Sequence, residues 1–305
     1  MRHLLTIEGV TRPELEDLLD LSDEFLNVLD RDIPKVPTLL GATVATMFFE
    51  PSTRTRLSFE RAARALSADV LSFSPGTSSV TKGESLKDTA LTLKAMGADL
   101  MVVRHPATGA AHRVSRWADL PVVNGGDGAH QHPTQALLDA FTLRRHFGKL
   151  DGLRVGIVGD IRHSRVARSD LQAFSTLGAT VTLVAPPTLL PLDTTGWPCD
   201  TATELDGVIG DLDVVYLLRI QSERGGVSGF TSLPEYVRRF GLDDRRFRLL
   251  RDDAVIMHPG PMNRGVEIAP HIADHPRTLI LDQVRNGVAA RMAVLFRLMT
   301  PEARR

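Results

Sequence analysis

The sequence predicts an α/β protein of two doubly wound parallel-sheet domains, on three observations. Short apolar runs alternate with stretches of helical period, the pattern of a parallel sheet covered on both faces. The alternation restarts after one long helix opened by Pro133. A chain of 305 residues is long enough for two cores of ordinary size.

The elements follow in order. Leu15, Leu18, Leu19, Leu26 and Leu29 mark a first helix, with Pro13 where a first turn tolerates it. A strand is expected at Thr43–Phe49, a helix at Arg56–Ser67, a strand at Val70–Phe73 and a helix at Glu84–Met96 closed by Gly97. A strand at Leu100–Arg104, a helix near Gly109–Ala118 and a short Pro121-Val122-Val123 strand complete the first half. The long helix Thr134–Phe147 ends at Gly148-Lys149. Beyond it come a strand at Arg154–Val158 and a helix at Ser164–Leu177, then strands at Thr180–Ala185, Val214–Leu218 and Ala254–Met257. The last helix, Gln283–Met299, is apolar on one side (Val284, Val288, Met292, Leu295, Phe296, Met299), and on pattern alone either domain could receive it. The charge-rich stretch Asp243–Asp253 reads as solvated surface.

Composition narrows the function classes. A formal charge of −1 and a pI near 6.8 point to neither nucleic acid nor a membrane surface. One cysteine, Cys199, excludes an internal disulfide framework and a thiolate metal cluster and suits a reducing compartment. The N-terminal stretch lacks the apolar core of a signal peptide, and no run is long enough to span a bilayer. A cytoplasmic enzyme is the expectation. No H-E-x-x-H, P-loop or G-x-S-x-G pattern is present.

Ligands of doubly wound sheets sit beyond the carboxyl ends of the strands, and that rule selects the polar clusters that matter. The richest is Pro51-Ser52-Thr53-Arg54-Thr55-Arg56, where a strand feeds a helix N-terminus. Free amides, the helix dipole and forked guanidinium donors favour a phosphate there. Arg104-His105-Pro106, His132-Pro133-Thr134-Gln135, Asp160 to Arg165, Arg219-Ile220-Gln221 and His258-Pro259-Gly260-Pro261 also stand at strand ends or helix starts. His132 and Gln135 share a helix face and can present neutral donors to one ligand oxygen. The prolines after His258 remove N–H donors and leave the carbonyls of Pro259 and Gly260 as acceptors suited to an amide NH2. His258 itself reads as a buried core histidine. The glycine-punctuated loop Gly76–Ser85 carries Lys82 and reads alone as a surface loop. Gly156-x-x-Gly159 hints at a dinucleotide fold, yet a third glycine is missing and Arg162-His163 crowds its place, so a nicotinamide dehydrogenase is only the runner-up.

With these motifs in this order, the chain resembles the transcarbamoylases over nearly its whole length, and Arg219 to Arg224 with His258-Pro259-Gly260-Pro261 look like the aspartate branch of that family. The resemblance implies a carbamoyl phosphate-binding domain, 1–133 joined by the C-terminal helix 284–305, and an aspartate-binding domain, 134–283, with an interdomain active site. It implies a cytoplasmic homotrimer in which each site borrows the loop bearing Ser78 and Lys82 from a neighbour, with no cofactor and no metal. Regulatory chains or another pyrimidine enzyme are conceivable further partners.

By matching motif, Ser52, Thr53, Arg54 and Thr55 would hold the phosphate, with Arg104 bridging phosphate and carbonyl. Thr55, Arg104 and His132 would polarise the carbamoyl oxygen, while Gln135 and the carbonyls of Pro259 and Gly260 would hold the carbamoyl NH2. Arg165, Arg219 and Gln221 would take the carboxylates of aspartate, with Lys82 reaching both ligands. Glu50, Glu223 and Arg224 look like ion-pair partners of the closed domains. The implied activity is carbamoyl transfer to L-aspartate, the second step of de novo pyrimidine biosynthesis. The alternatives are an ornithine or other amino-acid carbamoyltransferase, or a silent scaffold subunit. The missing cysteine near His258 and the cationic second cluster argue against ornithine, and the complete motif set against a silent scaffold. Two positions depart from the pattern: Val166 where a hydroxyl residue is expected, and Asp170 where Asn is.

Overall fold

The computed structural model describes residues 1–74, 83–220 and 232–300. The chain forms two compact units, Met1–Phe141 with Val284–Arg305, and Thr142–Gln283. The division falls at Phe141, inside the long helix, rather than at its Pro133 start.

The first unit runs α1 (Arg12–Leu29), β1 (Thr43–Phe48), α2 (Thr53–Ala65), β2 (Asp69–Phe73), α3 (Leu86–Ala95), β3 (Leu100–His105), α4 (Ala110–Ala118), β4 (Val122–Asp127) and into α5 (Pro133–Phe147). Its strands form a four-stranded parallel sheet in the order β2-β1-β3-β4. Alternation sorts the side chains: Ala45, Met47, Met101 and Val103 share one buried cluster with Ala90 and Leu93 of α3 and Val114 of α4. Leu4 extends the sheet beside β4, exchanging backbone bonds with Val122 and Asn124. α1 starts where the Thr11 N–H and hydroxyl both donate to the Glu14 carboxylate, and those bonds hold the Glu14 carboxyl below its usual pKa.

The second unit adds β5 (Arg154–Val158), α6 (Arg165–Thr176), β6 (Thr180–Val184), β7 (Asp200–Ala202), β8 (Val214–Leu217), α7 (Leu233–Phe240), α8 (Asp244–Phe247), β9 (Val255–Met257) and α9 (Pro270–Ala273). Its five-stranded sheet is also parallel, in the order β7-β6-β5-β8-β9. α10 (Ile280–Met299) begins here and continues into the first unit. There Phe296 packs edge-on against Phe25 of α1 at 5.5 Å, and Arg285 and Arg297 pair with Asp30 and Asp17.

Three local features differ from the sequence expectation. β4 continues past the expected Pro121-Val122-Val123 strand through Asn124-Gly125-Gly126-Asp127, where the Asn124 amide donates to Leu5 O and to Asp127 and so secures the extended backbone. β7 and α7 to α9 were not expected, since three to eight residues carry too little periodicity. The stretch Asp243–Asp253 is not simply solvated surface. Arg246 within it is 2% exposed, donating to Asp206 at 2.6 Å and to the carbonyls of Gly241 and Arg238 at 2.7 and 2.8 Å. Among the described residues no helix is long and apolar enough to cross a membrane.

Arg246→Met should therefore cost about 2–3 kcal/mol, because it takes the buried guanidinium from the carbonyls of Gly241 and Arg238 and leaves Asp206 with Arg245 alone. A fall in the urea midpoint checks this, and an unchanged midpoint would show that water replaces the guanidinium freely.

Candidate active site

Each sheet reverses its strand order once, between β1 and β3 in the first unit and between β5 and β8 in the second, relative to their flanking neighbours. In a parallel sheet the loops leaving such a pair part to opposite faces, and the opening between them is where ligands bind. Among the described residues, Ser52–Arg56 follow β1, Arg104 stands at the end of β3, and Arg165 and Arg219 follow β5 and β8.

In the first unit, Phe48 of β1 pairs in register with Arg104 of β3, and His105 pairs with Asp127 of β4. Three strand ends thus bring Ser52–Arg56, Arg104 and the segment leading to His132 to one edge. α2 begins three residues earlier than expected, at Thr53, so Thr53, Arg54 and Thr55 occupy its first turn. The first intrahelical bond runs from Arg56 N–H to Ser52 O, which leaves the preceding amides outside the helical ladder. Ser52 is the cap residue, yet its side chain makes no cap hydrogen bond. Thr53 and Arg54 are exposed and Thr55 is buried. Arg104 Nη1 donates to Gly125 O at 3.0 Å, and Glu50 lies 3.5 Å from its Nε, so the guanidinium is held on two sides. Glu50, expected as a domain-closure partner, here pairs with Arg104.

His132 and Gln135 are buried at the start of α5, where the His132 carbonyl accepts the first helical N–H groups, from Gln135 and Ala136. The Gln135 amide donates to both oxygens of Asp139, at 3.2 and 3.0 Å. What holds this corner is Asp127, which sequence reasoning missed. Fully buried, it accepts from Gly109 N–H (2.6 Å), the Asn124 amide (2.7 Å) and Gln131 N–H (3.2 Å), with His130 Nδ1 at 3.3 Å. Beside it the His105 ring packs on Phe49 and accepts from Ala107 N–H, and burial lowers its pKa.

In the second unit Val158 of β5 pairs with Leu217 of β8, and Tyr216 pairs with Met257 of β9. Arg165, Arg219 and the His258–Pro261 turn therefore leave neighbouring strand ends. Arg165 is buried in the first turn of α6, whose cap Ser164 accepts from Ala167 N–H. Asp160 is turned to His163, which donates its backbone N–H and lies 2.9 Å away through Nδ1. Of the two departures, Asp170 is fully buried in α6 and Val166 is partly buried beside Arg165. His258 is buried, its Nδ1 accepting from Gly260 N–H at 2.9 Å, and Pro259 and Gly260 are half-buried. Glu267 is the buried carboxylate of this corner. It accepts from Ile220 N–H (2.8 Å), Asn263 N–H (2.7 Å) and the Asn263 amide (2.8 Å), which ties down the residue next to Arg219. Gly159 has a packing reason rather than a nucleotide one: its φ is +129°, and a Cβ there would sit 3.1 Å from Leu218 O. Ser78, Lys82, Gln221, Glu223 and Arg224 lie outside the described residues.

Comparison with known proteins decides which family uses this arrangement. Residues 2–145 match the model of the aspartate/ornithine carbamoyltransferase carbamoyl-P binding domain, and residues 151–298 that of the Asp/Orn binding domain. The chain belongs to the aspartate/ornithine carbamoyltransferase family. Its relatives include the aspartate carbamoyltransferase catalytic subunits of Acidothermus cellulolyticus, 58% identical over 98% of this chain and 93% of that one, and of Thermobifida fusca, 56% identical over 98% and 96%. Among solved structures it is similar to aspartate transcarbamoylase of Trypanosoma cruzi in complex with carbamoyl phosphate and aspartate (TM-score 0.88, 30% identity, covering 98% and 97%). It is also similar to the catalytic subunit of M. Jannaschii aspartate transcarbamoylase (TM-score 0.85, 35% identity, covering 98% of each). Carbamoyltransferase family membership leaves the nicotinamide reading without support, in keeping with the packing role of Gly159.

The buried Glu267 predicts a pH dependence. Desolvation raises its carboxyl pKa above the usual 4.5, against the lowering effect of its amide donors. The folded chain then binds this proton more tightly than the unfolded one. That contribution is complete below pH 4.5, is lost as pH rises through the raised folded value, and is level beyond it. Urea midpoints across this window should carry the dependence in the native chain and lose it in Glu267→Gln; an identical profile in both would assign it to another group.

Proposed function

We propose that this chain transfers the carbamoyl group of carbamoyl phosphate to the amine of L-aspartate, giving N-carbamoyl-L-aspartate and phosphate, the second step of de novo pyrimidine biosynthesis. The observation that carries this reading is the placement of two cationic sets, one at the switch point of each sheet. Each of the two substrates is a small anion of at least two charges, and each set supplies donors of the matching kind.

In the first set, the α2 amides with Ser52, Thr53, Arg54 and Thr55 hold the phosphate. Arg104 reaches the phosphate and the carbonyl together. Its orientation is supported by Glu50 and Gly125 O. Thr55, Arg104 and His132 direct donors at the carbonyl oxygen, where negative charge grows as the amine attacks. Each such donor contributes on the order of a few kcal/mol to the transition state. Gln135 and the carbonyls of Pro259 and Gly260 accept from the carbamoyl NH2. In the second set, Arg165, Arg219 and Gln221 receive the two carboxylates of aspartate, and Lys82 serves both ligands.

The C–N bond forms as the amine lone pair enters the carbonyl carbon, and the C–O bond to phosphate breaks as the tetrahedral species collapses. The departing phosphate takes the amine proton, so aspartate reacts as the free amine. Holding both reactants in contact supplies much of the remaining acceleration. An ornithine side chain would place an ammonium among Arg165, Arg219 and Lys82, and like charge disfavours it.

The test is direct. Purified chain, given carbamoyl phosphate with aspartate or ornithine, should release phosphate and carbamoyl-aspartate with aspartate alone; product from ornithine overturns the charge argument. Arg219→Ala should raise KM for aspartate by roughly tenfold to a hundredfold, the loss of one charged contact. KM for carbamoyl phosphate should stay within about twofold, and equal shifts in both would remove Arg219 from the aspartate set.

The same reading makes the protein a cytoplasmic homotrimer in which Ser78 and Lys82 complete a neighbour's site, with regulatory chains or another pyrimidine enzyme as further partners. Sedimentation of the purified chain at three times 33.4 kDa supports this, and a monomer of full activity would sink it.

A further inference from the structure

Gln135 and Asp139 stand one turn apart on the same face of α5, and Asp139 is fully buried. A carboxylate only accepts hydrogen bonds. The Gln135 NH2 must therefore face Asp139, as the contacts at 3.2 and 3.0 Å show, and the amide oxygen is the end left to meet anything else. Turned end for end, the amide would set oxygen against oxygen in a buried place, which is costly.

The carboxylate has its own support. Arg291 of α10 is buried too; desolvation pushes its pKa down to about 10, and the charge of Asp139 acts against that shift. The guanidinium is fixed in turn: Nη1 donates to Ser58 Oγ at 2.9 Å and Gly287 O at 3.0 Å, and the group lies 5.1 Å over the Phe59 ring. Gly287 makes the room, since a Cβ there would sit 2.7 Å from Arg291 Nη1. A buried acid, with a buried guanidinium close enough to feel its charge, thus stands behind a single side-chain amide.

We propose that Asp139 is a positioning residue for the carbamoyl donor, presenting Gln135 as an acceptor and so selecting an NH2-bearing acyl phosphate over one that carries a methyl group. This deepens the function proposed above and rests on Gln135 meeting the carbamoyl NH2. Acetyl phosphate has the same phosphate and carbonyl but no N–H to donate, so it reads the phosphate contacts alone. Asp139→Asn keeps the shape but offers Gln135 a partner that accepts its amide in either orientation.

The experiment compares KM for carbamoyl phosphate with the inhibition constant of acetyl phosphate against it. In Asp139→Asn the first should rise about tenfold, one lost hydrogen bond, while the second stays level. Gln135→Ala should narrow the ratio in the same way, and adding Asp139→Asn to it should narrow it no further. If Gln135→Ala leaves the ratio unchanged, the ligand role of Gln135 is wrong and the proposal falls with it. If Gln135→Ala narrows the ratio but Asp139→Asn does not, or if Asp139→Asn weakens both compounds equally, Gln135 keeps its role and Asp139 loses its own. Where Asp139→Asn does not fold because Arg291 is stranded, Asp139→Asn/Arg291→Met removes both buried charges together, and the same ratio decides.

Discussion

The carboxylate of Asp127 is the constraint on which the first unit's working edge depends. It is removed from water entirely and accepts from the start of α4, from Asn124 on its own strand and from Gln131 just before α5. A buried carboxylate is tolerable only when donors surround it. Its need for them pulls three separate chain segments to one point. His132 and Gln135 inherit their positions from that knot, because α5 starts immediately beyond it. Asn124 carries the constraint onward by holding the Leu5 carbonyl, so the chain's first residues are tied to the same edge.

A common device recurs. Asp127, Asp139 and Glu267 are all buried acids, and each accepts from backbone or side-chain amides rather than facing open water. Acceptor-only groups behind a site draw donors inward and fix them. Arg54 and Arg104 in the first unit, and Arg165 and Arg219 in the second, stand at strand ends or in first turns of their own units.

The fold's contribution is where the strand order reverses. Sequence distance between Ser52 and Arg104 is large, yet β1 and β3 are neighbours in register, and β5 and β8 repeat the arrangement for Arg165 and Arg219. Both sheets are parallel, so every loop that follows a strand leaves on the same edge. Gly159 serves this geometry by letting the end of β5 pass close to Leu218.

The sequence by itself determined the α/β class, most of the long elements and the exposed or half-exposed cations, because periodicity, helix starts and strand ends are local signals. Thr53–Arg56, Arg104 and His132 could be singled out since unusual residue types stand together at such points. Tertiary structure alone decided the rest. Among 37 acidic residues nothing local distinguishes Asp127, Asp139 or Glu267, whose importance lies in being buried. Arg246 sits in a stretch that looks solvated and is nevertheless enclosed, because Asp206, forty residues earlier, and the carbonyls closing α7 converge on it. The extension of β4 through two glycines likewise needed Leu5, more than a hundred residues away, to hold it. Burial and long-range partnership are properties of the packed chain, and a pattern read along the chain cannot contain them.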